Sequence, residues 1–196
     1  MLILLPPSEK KSTQPGPAIE VYTGVLYKAL DWLSLNKESQ ARGQKYIAII
    51  SAKYGVLQPL DRIEPYKQKI DSASMRAQVT ETLSARKATL VIDCRSSTYK
   101  GVWTPPAQTC VEIKVFINHD GEKKVITHMS KKTRGEVTRL LLQSSSIPTN
   151  PQELFGVIST IFECELVAPI QSGPWVLEVG SLRPQLAKGY LHESSV

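Results

Sequence analysis

The chain is poor in the residues from which covalent staples and metal centres are built. Its three cysteines, Cys94, Cys110 and Cys164, are widely spaced and form no Cys-x-x-Cys pair, which argues against both a disulfide framework and a structural zinc site. Its three histidines are isolated and its carboxylates dispersed, so no metal is expected and direct sequestration of iron has no ligand spacing behind it. No apolar run approaches the roughly eighteen residues of a membrane span. Only a short apolar stretch follows Met1 before Pro6-Pro7, too little for a signal peptide, so a cytoplasmic chain without a membrane partner is expected. Gly-x-Gly-x-x-Gly and Walker sequences are also missing, and no cofactor is expected.

What is present describes an ordinary globular protein with a basic bias. Its 196 residues, 41% hydrophobic and 21% charged, suit one domain with a sizeable core, and residues 180–196 read as a loosely ordered tail. The formal charge of +6, from 24 Lys plus Arg against 18 Asp plus Glu, points to polyanionic partners: DNA, double-stranded or distorted, or a phosphorylated small molecule. Such a charge also serves solubility alone, so it supports a partner without identifying one. The oligomeric state has no signature in the sequence.

Apolar runs at residues 2–5, 46–51 and 89–94 read as strands, and near-helical spacing over 21–35 predicts one amphipathic helix. Residues 73–85 read as a helix and 96–99 as a short one, with Pro105-Pro106 enforcing an extended linker. Alternation over 111–118, the Asp120-Gly121 turn and residues 123–129 predict a hairpin, with His119 and His128 at its surface. Helices are expected over 133–143 and, opened by Asn150-Pro151, over 152–161, and a closing hairpin over 162–169 and 175–179. Strands and helices alternating early, with hairpins late, predict an α+β fold: a mixed β-sheet wrapped by helices.

The densest chemistry is Ser51-Ala-Lys-Tyr-Gly-Val-Leu-Gln-Pro-Leu-Asp-Arg-Ile-Glu-Pro-Tyr66, directly beyond the second strand. Ligands lie beyond strand ends in such sheets, which makes Lys53, Tyr54, Asp61, Glu64 and Tyr66 candidate contacts. An ordinary connection with solvated charges is the competing reading. Asp61 and Asp93 read equally well as turn carboxylates or as acid–base groups, with Lys53 holding a carboxylate ionised. Ser8, Glu9, Lys10, Arg95, Ser96 and Tyr99 fall near other strand ends and complete a candidate cleft. Lys131, Lys132 and Arg134 read either as a solvated face or, if they open a helix, as phosphate contacts. Tyr22, Tyr27, Tyr54, Tyr66 and Tyr99 read as partly buried core, or as rings that stack on bases. The cysteines read as inert buried thiols, with Cys94 the one to watch because the cation of Arg95 beside it favours a thiolate.

The 51–66 segment resembles the signature of the YaaA family of bacterial peroxide stress response proteins, and other blocks agree with it in order. They are Met1-Leu-Ile-Leu-Leu-Pro-Pro-Ser-Glu-Lys10, Tyr22-Thr-Gly-Val-Leu-Tyr27, Val91-Ile-Asp-Cys-Arg-Ser-Ser-Thr-Tyr99, Lys131-Lys-Thr-Arg-Gly135 and Gly173-Pro-Trp-Val-Leu177. Members of that family usually carry a longer segment between the first two of these blocks, where residues 11–21 alone stand here. The resemblance implies a role in the response to hydrogen peroxide, with DNA binding through a helix-hairpin-helix element and limitation of iron-driven DNA damage. No unmistakable copy of that element is visible in this chain. On this reading Ser8, Lys10, Lys53, Tyr54, Arg95, Lys131, Lys132 and Arg134 contact phosphate. The alternative is an enzyme acting on a small anionic or nucleoside-like substrate, with Lys53, Asp61 and Asp93 as its catalytic groups.

Overall fold

The structure, a computed structural model, describes residues 1–119, 122–124 and 127–183, with side-chain detail for 1–116 and 129–183. In chain order the strands are β1 (Leu2–Leu5), β2 (Gly16–Pro17), β3 (Ile47–Ser51), β4 (Gly55–Leu57), β5 (Arg62–Ile63), β6 (Val91–Asp93), β7 (Cys110–Val115), β8 (Ile117–His119), β9 (Glu122–Lys124), β10 (Phe162–Val167) and β11 (Trp175–Leu182). The α-helices are α1 (Ala18–Val21), α2 (Val25–Leu30), α3 (Lys37–Tyr46), α4 (Ser72–Ser84), α5 (Ser97–Lys100), α6 (Thr127–Gln143) and α7 (Pro151–Ser159).

Seven strands form one sheet in the order β10-β11-β7-β6-β1-β3-β4. The pairs from β11 through β7, β6 and β1 to β3 are parallel, and an antiparallel strand closes each edge. The sheet is therefore mixed, and with its helices the fold is α+β, as the sequence pattern predicts. Every residue of β1 and β3 is buried, which is what unbroken apolar runs require at the centre of a sheet covered on both faces. Alternate residues feed two cores. Ile3, Leu5, Ile47 and Ile49 face α2, α6 and α7 through Leu26, Val137, Leu141 and Leu154, whereas Leu2, Leu4, Ala48 and Ile50 meet Val79 and Leu83 of α4.

Three sequence expectations are corrected. Residues 21–35 are not one helix: Tyr22 is extended and bridged to Lys11, and Asp31 ends α2 in a left-handed conformation. Helical spacing persists because both pieces bury the same side, but the Lys11–Tyr22 bridge takes the chain out of helix between them. The strand over 111–118 ends at Val115, and β8 and β9 form a separate two-stranded ribbon. Its turn, Asp120-Gly121, lies outside the described residues, as do the side chains of His119 and His128. Finally, α6 begins at Thr127 and not near Thr133, so Lys131, Lys132 and Arg134 lie inside the helix. Their amides are already paired within it and offer nothing to an anion.

Other expectations match. Asn150 caps α7 by accepting the Glu153 amide at 2.9 Å, with Pro151 in its first turn, and β10 and β11 pair antiparallel. Residues 180–182, expected in a loosely ordered tail, belong to β11, which runs to Leu182; residues 184–196 lie outside the described residues. Among the described residues no helix is long and apolar enough to cross a membrane.

Candidate functional site

The parallel strands β1, β3 and β6 end at one edge, and the segments that leave them carry most of the polar residues named above. Beyond β1 the chain runs along residues 6–11, where the Lys11 Nζ donates to the Ser8 carbonyl at 2.7 Å. The Lys11 ammonium sits 4.2 Å from the centroid of the Tyr66 ring and 5.6 Å from that of Tyr22. Burial lowers its pKa from the ordinary value, and the nearby Glu9 carboxylate offsets part of that.

Beneath this cation runs a chain of hydroxyls. Ser51, the last residue of β3, accepts the amides of Lys53 (3.2 Å) and Tyr54 (3.1 Å) on its Oγ. Its hydroxyl is also hydrogen-bonded to the Tyr66 Oη at 2.8 Å. The Tyr66 oxygen accepts the Ala52 amide at 3.3 Å and is hydrogen-bonded to the Tyr22 Oη at 2.8 Å. Tyr54 packs edge-on against Tyr66, 5.7 Å between centroids, and Tyr27 lies 5.3 Å from Tyr22, donating its hydroxyl to the Pro6 carbonyl at 2.8 Å. Burial pushes the phenols of Tyr22 and Tyr27 far above the usual range and that of Tyr99 up to about 12, the last helped by Tyr66 and Glu9.

Lys53 lies on the outer side of this group, exposed, with its Nζ 4.9 Å from the Tyr54 centroid. The Tyr54 Oη in turn accepts the Glu64 amide at 3.3 Å. Lys11, Tyr66, Tyr54 and Lys53 thus form an unbroken line of ring and cation contacts, with the exposed Lys10 next to Lys11. Lys10 is tied to the start of α2 by its carbonyl, which accepts the Thr23 amide at 3.0 Å. Ser8 packs its hydroxyl against Gly24, where an added Cβ would come within 2.1 Å of the Ser8 Oγ.

The other candidates stand elsewhere or have other partners. Asp61 is an exposed turn carboxylate, accepting the Gln58 amide at 2.7 Å and acting electrostatically on Arg86; no described contact joins it to Lys53. Asp93 and Arg95 are both buried and bound to each other in a fork, with Arg95 Nε to Oδ1 at 2.9 Å and a terminal nitrogen to Oδ2 at 2.8 Å. The Arg95 guanidinium also donates to the Tyr99 carbonyl at 3.1 Å, which anchors α5. Lys131 and Lys132 are exposed, the latter 3.3 Å from Glu136, and no contact among the described residues links either to Lys11 or Tyr66. Arg134 is half-buried, with Nε 3.4 Å and a terminal nitrogen 3.3 Å from the Ile113 carbonyl.

The expectation of a thiolate at Cys94 is corrected. Burial pushes this thiol up to about 12, and the guanidinium of Arg95, which was to stabilise it, is committed to Asp93. Sequence reasoning does not single out Lys11 and Ser51. The first hides behind the more conspicuous Lys10, and the second reads as a strand terminator. A hydroxyl placed two and three residues ahead of free amides at a strand end is the signal that finds Ser51.

The fold and this edge define an α+β protein with a tyrosine- and lysine-lined site beyond its parallel strands. A family model described as peroxide stress protein YaaA matches residues 7–160. A UPF0246 protein of Streptomyces coelicolor is 34% identical over 176 residues, which cover 83% of this chain and 68% of that protein. One of Corynebacterium efficiens is 32% identical over 159 residues, 75% of this chain and 63% of its own, and one of Ruegeria pomeroyi 29% over 155 residues, 70% and 60%. The chain belongs to the YaaA peroxide stress protein family, and it spans between 60% and 68% of the length of these relatives.

Proposed function

We propose that this protein acts in the peroxide stress response by binding DNA along the Lys11–Tyr66–Tyr54–Lys53 line, and that it limits iron-driven damage to the DNA it holds. The observation that carries the reading is that line itself: cations at both ends and two partly exposed aromatic rings between them, at one edge of the sheet. Lysines neutralise phosphates without reading sequence, and the rings supply apolar faces. Asp93 and Arg95 support the site from beneath by fixing the chain after β6, and do not touch the ligand in this reading. A fluorescence anisotropy titration of duplex and bubble DNA against salt is the test. Affinity should fall steeply with salt, and Lys53→Ala should lower the log–log slope by about 1. Binding that is undetectable at micromolar protein, or indifferent to salt, removes the proposal.

The second reading is an enzyme acting on a small anionic or nucleoside-like substrate. It is favoured by the hydrogen-bonded Ser51–Tyr66–Tyr22 chain under a partly desolvated Lys11. Proton handling in that reading falls to Lys11 and the hydroxyl chain, since Asp61 and Asp93 already hold a turn amide and an arginine.

A further inference from the structure

The opposite end of the same parallel strands carries a recess of about 680 Å³. It opens between α4 and the segment 101–106, beside the first residues of β1 and β6. Leu2, Leu83, Val91 and Trp103, all buried members of the second core, give it an apolar floor. The exposed Thr80 and Ser84 add hydroxyls on the α4 side. Arg76 and Lys87, both exposed, are the cationic residues of the lining, and among the described residues no carboxylate lines it. Its volume falls within the range of sites that enclose small molecules.

The backbone supplies an independent observation. Lys87 has φ of +44°, in the left-handed region, where a glycine would sit without strain and a residue with a Cβ does not. The chain turns there to enter β6, with the Lys87 amide donating to the Ser84 carbonyl at 3.3 Å. Lys87, an exposed residue of the lining, thus holds its conformation at a cost in backbone strain. Across the recess, the Arg76 Nε donates to the Gly101 carbonyl at 3.2 Å, which orients the guanidinium.

We propose that this recess is a ligand site, separate from the tyrosine-lined edge, for a small amphipathic anion. A flat apolar body of one or two rings lies against Leu83 and Trp103, and a single negative group lies between Arg76 and Lys87. The probe is 1-anilinonaphthalene-8-sulfonate, which has this chemistry, with the uncharged N-phenyl-1-naphthylamine as its comparison, both followed by fluorescence on the whole chain. Saturable binding at one site is expected for the anionic probe. Lys87→Gly relieves the backbone and removes the charge, so the unfolding midpoint should hold while affinity for the anionic probe falls about five- to tenfold. The uncharged probe should be indifferent to that change. Ser84→Trp fills the recess and should weaken both probes, whereas Lys53→Ala should weaken neither. The assignment is overturned by absence of saturable binding, by equal loss of both probes in Lys87→Gly, or by affinities that Ser84→Trp leaves unchanged or Lys53→Ala lowers as much. None of these outcomes depends on whether the opposite edge binds DNA.

Discussion

At the scale of single residues, Tyr66 carries more of the site than any other side chain. Its hydroxyl accepts the Ala52 amide and is hydrogen-bonded to the hydroxyls of Ser51 and Tyr22, while its ring supports Lys11 and Tyr54. Tyr66→Phe deletes one oxygen and leaves one amide and two hydroxyls without their partner, so a loss of about 1–3 kcal/mol is expected. Urea unfolding should show it as a lower midpoint with unchanged slope. A midpoint equal to that of the parent would mean that the hydroxyl chain is not formed in solution. The thiols make a second prediction at this scale. Burial raises Cys94 and Cys110 to about 12 and Cys164 to about 11, so at pH 8 a disulfide reagent such as dithionitrobenzoate should find little thiolate in the folded protein and titrate all three thiols in urea. Rapid modification of native Cys94 would contradict its placement.

At the scale of elements, the crossing of α2 and α6 explains one residue of the Lys-Lys-Thr-Arg-Gly block. A Cβ on Gly135 would lie 2.2 Å from the Leu26 carbonyl oxygen and 2.9 Å from the Ala29 Cβ, and backbone cannot move aside as a flexible side chain can. Two effects compete in Gly135→Ala. Helix propensity favours alanine by about 1 kcal/mol, while the forced separation of two packed helices costs about 1–3 kcal/mol or more. The clash should win, and thermal unfolding should show a lower midpoint. A rise would mean that α2 and α6 do not approach this closely. The glycine of the block is thus explained by packing, and its lysines are left to the surface.

At the scale of the whole molecule, the tyrosine cluster joins the segment after β1, the end of β3 and the loop that follows β5, so its ionisation bears on the entire edge. The folded phenols of Tyr22, Tyr27 and Tyr99 are raised above the unfolded value of 10.0. Below pH 10 their contribution to stability is fully present. As pH rises from there towards about 12 the unfolded chain releases protons that the folded chain retains, so stability falls. Absorbance at 295 nm should show these tyrosines ionising together with loss of structure by circular dichroism. Ionisation of all seven tyrosines near pH 10 with the fold intact would refute the burial.

The sequence by itself was enough for the fold class, the central strands, the cap of α7 and the family, because each rests on short-range facts: unbroken apolar runs, an Asn-Pro pair, ordered blocks of residues. The Asp93–Arg95 pair was missed, with Asp93 read as a turn or acid–base group and Arg95 as a phosphate contact, although residues two apart on an extended chain share a face and opposite charges there attract. The tertiary structure alone decided which polar residues meet. Tyr22 and Tyr66 are 44 positions apart and bond at 2.8 Å, whereas Lys53 and Asp61, eight positions apart, face different neighbours. Periodicity records which side of an element is buried. It carries no record of which loops a parallel sheet gathers at one end, and both the site and the recess opposite it follow from that gathering.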